Sequence, residues 1–278
     1  MSRPRAAPDL LTVTWIGHSA ALIQMGGLNL LTDPMFGARA SPVRFAGPRR
    51  WVAPGIPLPH LPPVDAVLLT HNHYDHLDAG SVRALARLHP EAVWVVPLRL
   101  GAFVRGLGPA AVVELDWWEE YAVGPLHLTA TPAQHFSSRS PFDRNRTLWC
   151  GYAVRAPRHR VLFAGDSGYH PEFGRVGRAL GPFDLVMLPI GAYEPAWIMQ
   201  PLHMNPEEAV RAYQDLTGTD GKGTVMMAVH WGTFKLTDEP MDEPPARVRA
   251  AWEADGLTPR TLWVPRHGET RLIEGRAP

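Results

Sequence analysis

Val64-Asp65-Ala66-Val67-Leu68-Leu69 runs without a spacer into Thr70-His71-Asn72-His73-Tyr74-Asp75-His76-Leu77-Asp78. The first stretch reads as a buried strand, and the second sets three imidazoles and a carboxylate at its end. Side chains so placed converge just beyond a sheet edge, as half of a two-metal site requires. Zinc and its first-row relatives take imidazole and carboxylate ligands, and a pair of ions can share an activated hydroxide. A polar turn that gathered histidines by chance is the competing reading. It weakens because the missing ligands can be found further along, where apolar runs stop at His135, Asp166 and His230.

The spacing assigns these residues to two ions. His71 and His73 are two apart, so in extended chain both rings can face one ion, with His135 as the third imidazole. Asp75 and His76 follow where the chain turns and can serve a neighbouring ion together with His230. Asp166 can bridge the pair, because a carboxylate has two oxygens. Each ion would keep a position open to solvent, which separates a catalytic site from a closed structural one.

Outward from this stretch, the pattern predicts strands at 11–16, 20–25 and 28–32, joined by tight turns into an antiparallel start. Residues 36–63 lack periodicity and read as a long surface loop. Asp78 can cap a helix over 79–88, and a short helix is expected around 98–106. Further strands are expected at 93–96, 111–115, 126–131, 148–154, 160–165, 185–190 and 224–229, with two short ones near Leu262 and Leu272. Asn205, Pro206, Glu207 and Glu208 punctuate the start of a helix that Gly218 ends, and Pro244-Pro245 opens another to about Asp255. Such an order predicts an α/β protein in which two sheets pack face to face with helices outside. No linker or composition shift divides the chain, so residues 1–278 read as one domain with residues 1–10 as a flexible N-terminus.

Lys plus Arg number 27 and Asp plus Glu 27, so there is no basic field to attract nucleic acid. Cys150 is the one cysteine and is expected as a buried apolar residue, with no intrachain disulfide. No signal peptide or uninterrupted membrane span is visible, and a cytoplasmic location is the expectation.

Thr14-Trp15-Ile16-Gly17-His18, Leu31-Thr32-Asp33-Pro34, Gly47-Pro48-Arg49-Arg50, the stretch from His71 to Asp78, Asp116-Trp117-Trp118-Glu119-Glu120, Ala192-Tyr193-Glu194-Pro195 and His230-Trp231-Gly232-Thr233-Phe234 form a recognisable set. Together they resemble the metallo-β-lactamase fold superfamily, and within it the N-acyl-phosphatidylethanolamine-hydrolysing phospholipase D branch. The resemblance runs from about Thr12 to Ile273. It implies an αββα sandwich of two mixed sheets, two divalent metal ions and a phosphodiesterase that uses a metal-bridging hydroxide. Zinc is the expected metal, with manganese and iron compatible. Where the mammalian phospholipase has Gln before the histidine matching His203, this chain has Leu202.

The resemblance also assigns roles around the metals. Asp75, Asp166 and His203 are expected to be catalytic, His203 by engaging the phosphate or protonating a leaving group. Tyr193, Trp197, Met199 and His203 are expected to line the substrate pocket. Asp33 and His18 are expected to orient the ligands from behind. A phospholipid or small-molecule substrate, peripheral membrane contact at most and a homodimer complete the expectation. A lactone or carboxyl-ester hydrolase on the same fold is the alternative, and a metal-stabilised binding module without turnover is the non-enzymatic one. A redox di-iron role is disfavoured, since such members carry Glu in the neighbourhood where this chain has His73.

Overall fold

The computed structural model describes residues 5–218 and 223–274. The first half of the chain holds strands β1 (Leu11–Gly17), β2 (Ala20–Met25), β3 (Leu28–Thr32) and β4 (Ala66–Leu68), then helix α1 (Ala79–Leu88), β5 (Val93–Pro97), α2 (Gly101–Arg105) and β6 (Ala111–Leu115). The second half holds β7 (Glu120–Val123), β8 (Leu126–Thr131), β9 (Gly151–Arg155), β10 (Arg160–Phe163), α3 (Glu172–Leu180), β11 (Leu185–Pro189), α4 (Ala196–Met199), α5 (Pro206–Thr217), β12 (Val225–Val229), α6 (Glu243–Ala254) and β13 (Leu262–Trp263). A last strand, β14 (Thr270–Ile273), returns to the first half.

Each half makes a seven-stranded sheet, in the orders β14-β1-β2-β3-β4-β5-β6 and β13-β12-β11-β10-β9-β8-β7. Both are mixed. The first is antiparallel from β14 to β3 and parallel from β3 to β6, and the second is parallel from β13 to β10 and antiparallel beyond. Period-2 alternation explains the layering, since successive side chains take opposite faces. Ala66 and Leu68 of β4, with Val161 and Phe163 of β10, enter the core between the sheets. Val67 faces outward beneath α1 and α2, and Leu162 faces outward beneath α3, α5 and α6. The αββα sandwich expected from the sequence is the fold observed.

The helix ends follow their sequence signals. Asp78 accepts from Ser81 N at 2.8 Å and caps α1, while Asn205 and Glu208 cap each other's backbone at the start of α5. Three elements went unread in the sequence. β7 is a sheet-edge strand with little apolar pattern, α4 is a single turn, and α3 carries Gly174 and Gly177, which weaken a helical signal. Gly177 has a packing reason: a Cβ there would lie 2.4 Å from Leu216 O on α5. The expected loop at 36–63 is folded back on itself by an Arg39–Arg49 bridge and joined to Phe234 by Arg50. Of the N-terminus expected to be flexible, residues 1–4 lie outside the described residues, whereas Arg5 forks onto the Asp65 carboxylate.

Candidate metal centre

Strand direction assembles the site. β4, β8, β10 and β12 all end at one edge of the sandwich, and the next residues deliver His71, His135, Asp166 and His230 there. The turn after β4 supplies His73, Asp75 and His76. His18, Asp33 and His230 each leave a strand with φ of 57°, 29° and 59°. Positive φ is uncommon outside glycine, though Asp and His adopt it more readily than most, and it gathers where geometry is functional.

Two groups of ligand atoms result. His71 Nε2 lies 2.9 Å from His73 Nδ1, which lies 3.2 Å from His135 Nε2. Asp75 Oδ2 lies 3.3 Å from His76 Nε2 and 3.4 Å from His230 Nε2. Between the groups sits one oxygen, Asp166 Oδ2, at 3.0 Å from both His76 Nε2 and His230 Nε2 and 3.9 Å from both His71 Nε2 and His135 Nε2. Sequence reasoning named these seven residues, and the structure brings all seven together.

The electrostatics fit cations. Burial, then the neighbouring imidazoles, hold His71 well below the ordinary histidine value. Burial pulls His73 down to about 4 and His135 to about 3, so these imidazoles are neutral, the form in which a ring nitrogen can ligate a cation. Burial also penalises His76 and His230, but the Asp166 charge outweighs it and pushes His230 up to about 9 and His76 well above its usual range. Burial opposes charge on Asp75 and Asp166, and the surrounding imidazoles overcome it, keeping both carboxyls well below the usual carboxylate range. His76 Nε2, His230 Nε2 and Asp166 Oδ1 are buried without hydrogen-bond partners. Buried polar atoms normally find partners, so these orphans mark a place for an ion.

Groups behind the ligands fix their orientation. Asp33 Oδ2 lies 2.7 Å from His76 Nδ1 and accepts from the Thr70 hydroxyl at 2.7 Å, while Thr70 Oγ1 faces His71 Nδ1 at 2.9 Å. One buried carboxylate thus aims two imidazoles. His135 Nδ1 meets Leu202 O at 2.9 Å, so position 202 works through its backbone, and Leu serves there. His18 Nε2 holds Asp75 Oδ2 at 2.8 Å.

Sequence reasoning missed Thr70 and Arg139. The Arg139 guanidinium donates to Asn72 O at 2.7 Å and Leu77 O at 2.8 Å, and lies 3.9 Å from the Tyr74 ring centre, clamping the histidine turn. A lone arginine in an aperiodic loop gives no sequence signal.

The expected pocket residues divide. His203 is at the centre, with Nδ1 unpartnered and 3.9 Å from Asp166 Oδ2, and burial takes its pKa down to about 3. Its backbone N–H is held by Met199 O at 2.8 Å. Trp197 is 83% exposed on α4, and Met199 is half-buried. The Tyr193 hydroxyl is engaged elsewhere: it donates to Glu243 Oε1 at 2.7 Å, with Arg247 over its ring.

Residues 28–231 match the family described as Beta-lactamase superfamily domain. The chain belongs to that superfamily of metal-dependent hydrolases. Within it, the chain is 39% identical over 255 residues to N-acyl-phosphatidylethanolamine-hydrolyzing phospholipase D 1 of Caenorhabditis elegans, covering 88% of this chain and 70% of that one. An uncharacterized protein of Mycobacterium tuberculosis is 45% identical over 264 residues, covering 92% of this chain and 69% of the relative. Among solved structures, an isothiocyanate hydrolase from Delia radicum gut bacteria superposes with a TM-score of 0.73 over 95% of this chain and 100% of its own, and at 23% identity this is a likeness of fold.

Proposed function

We propose that the chain is a dinuclear metal-dependent phosphodiesterase of the phospholipase D type, acting on an N-acylated or related phospholipid. The observation that carries this reading is the single Asp166 oxygen set between a three-imidazole group and an Asp75–His76–His230 group. The similarity to a phospholipase D that hydrolyses N-acyl-phosphatidylethanolamine supports the phosphodiester over other substrates. His71, His73, His135 and Asp166 would hold one ion, and Asp75, His76, His230 and Asp166 the other. Two divalent cations so held lower the pKa of water and offset charge on the phosphoryl oxygens.

The chain's own residues supply the rest. Asp75, held by His18, would accept a hydrogen bond from the attacking water. His203 is kept neutral by burial, so it enters as a hydrogen-bond partner of a phosphoryl oxygen. Trp197 and half-exposed Ile198 offer an apolar lip for an acyl group.

Purified protein is expected to contain about two metal ions per chain by elemental analysis, since each half of the ligand set closes on one ion. It should hydrolyse an aryl phosphodiester and N-acyl-phosphatidylethanolamine faster than a lactone. His71→Ala should lose bound metal and activity together, and full activity in that variant would sink the scheme.

A further inference from the structure

We infer that the edge of the second sheet remote from the metal centre is a separate binding site for a phosphate monoester. In that sheet, His127 pairs with Arg155, and Arg155 pairs with Arg160, in register across β8, β9 and β10. Residues directly opposite in a ladder share a face, and like charges there repel. The face is the outer one, because the neighbouring Val154 and Val161 point into the inter-sheet core. Among the described residues, no carboxylate lies within ion-pair distance of the Arg155, Arg158 or Arg160 side chains. Arg155 and Arg158 are thus exposed cations with no side-chain counter-ion among the described residues, whereas the Arg160 guanidinium donates to Leu180 O and Gly181 O.

A cavity of about 520 Å³ opens on this row, lined by His127, Arg155, Arg158, His159, Arg160 and Asp184. A second, of about 200 Å³, shares His127, Arg155 and Arg160 and includes Glu120. The carboxylate in the larger cavity is already occupied, accepting from Arg160 N at 2.8 Å. Paired guanidinium forks match the spacing of phosphate oxygens.

A second observation selects a monoester over other anions. His159 is 4% exposed, meets Asp9 O through Nε2 at 3.0 Å, and leaves Nδ1 without a hydrogen-bond partner. Asp184 Oδ2, at 3.6 Å, is too distant to serve. The monoanion of a phosphate monoester, with its second pKa of about 6, presents two unprotonated oxygens to the guanidiniums and one hydroxyl that can donate to such an orphan. Sulfate and phosphodiesters lack that hydroxyl.

The ligand is either a soluble phosphate monoester or the headgroup of a lipid such as phosphatidic acid, and two assays on the metal-loaded chain distinguish them. Equilibrium dialysis with radiolabelled inorganic phosphate should show a binding event that the double variant Arg155→Gln/Arg158→Gln weakens at least tenfold. Both side chains are exposed, so the fold is retained, and hydrolysis of an aryl phosphodiester should be unchanged. The charge-matched variant Arg83→Gln/Arg87→Gln on α1 should bind phosphate like the parent. Flotation with phosphatidylcholine vesicles, with and without phosphatidic acid, assigns the source. Phosphatidic-acid-dependent flotation lost in Arg155→Gln/Arg158→Gln supports the site as a lipid headgroup site, and dialysis binding without flotation supports it as a soluble-ligand site. Phosphate binding identical in the parent and Arg155→Gln/Arg158→Gln, or equal competition by sulfate, overturns the proposal.

Discussion

Asp33 shows how much of the centre depends on residues that touch no ion. Its carboxylate is fully buried and serves His76 directly and His71 through Thr70. Asp33→Ala should therefore weaken metal affinity by about 10- to 100-fold, read by competition with a chromogenic chelator. His267 gives a pH-dependent counterpart. Burial, with a smaller contribution from Arg50, lowers its pKa from 6.5 to about 4. The folded chain therefore resists a proton that the unfolded chain takes up readily. Stability from this residue is complete above pH 6.5 and falls as pH drops toward 4, by about 2 kcal/mol once partial exposure is allowed for. His267→Gln can keep the contact to Thr233. Its urea midpoint should fall less than the parent's between pH 7 and pH 4.5.

At the scale of elements, the helices that buttress the second sheet set the tolerance for change. Gly177 lets α3 approach the last turn of α5, and Gly177→Ala should cost about 1–3 kcal/mol in urea unfolding by overpacking. The same glycine explains why α3 was illegible in the sequence, since helix propensity and close packing make opposite demands there. The ligand strands were legible for the converse reason. An apolar run that ends on His or Asp carries the strand and the site in one signal, as at β12 and His230. Arg139 and Thr70 were not, because a hydrogen bond across distant loops leaves no periodicity. Tyr193 is located by resemblance, yet Glu243 at the start of α6, not the local sequence, decides what its hydroxyl does.

For the whole molecule, the centre joins the two sheets. Four of its ligands follow β4 in the first sheet, and the other three follow β8, β10 and β12 in the second. Ions held there would act as cross-links that bind only the folded state. Removing them with a chelator should lower the melting temperature, with a loss of about 3–4 kcal/mol at metal concentrations 100- to 1,000-fold above the dissociation constant. Calorimetry with and without chelator measures it, and an unchanged melting temperature would count against cross-linking.

The return of β14 to β1 bears on how the chain is made. Leu11 pairs with Ile273, so the outer edge of the first strand has no neighbour until β14 has been made, after every other strand of both sheets. During synthesis that edge stays open to any other extended segment. A ribosome-associated intermediate should thus be protected from proteolysis around the second sheet before it is protected at its own beginning.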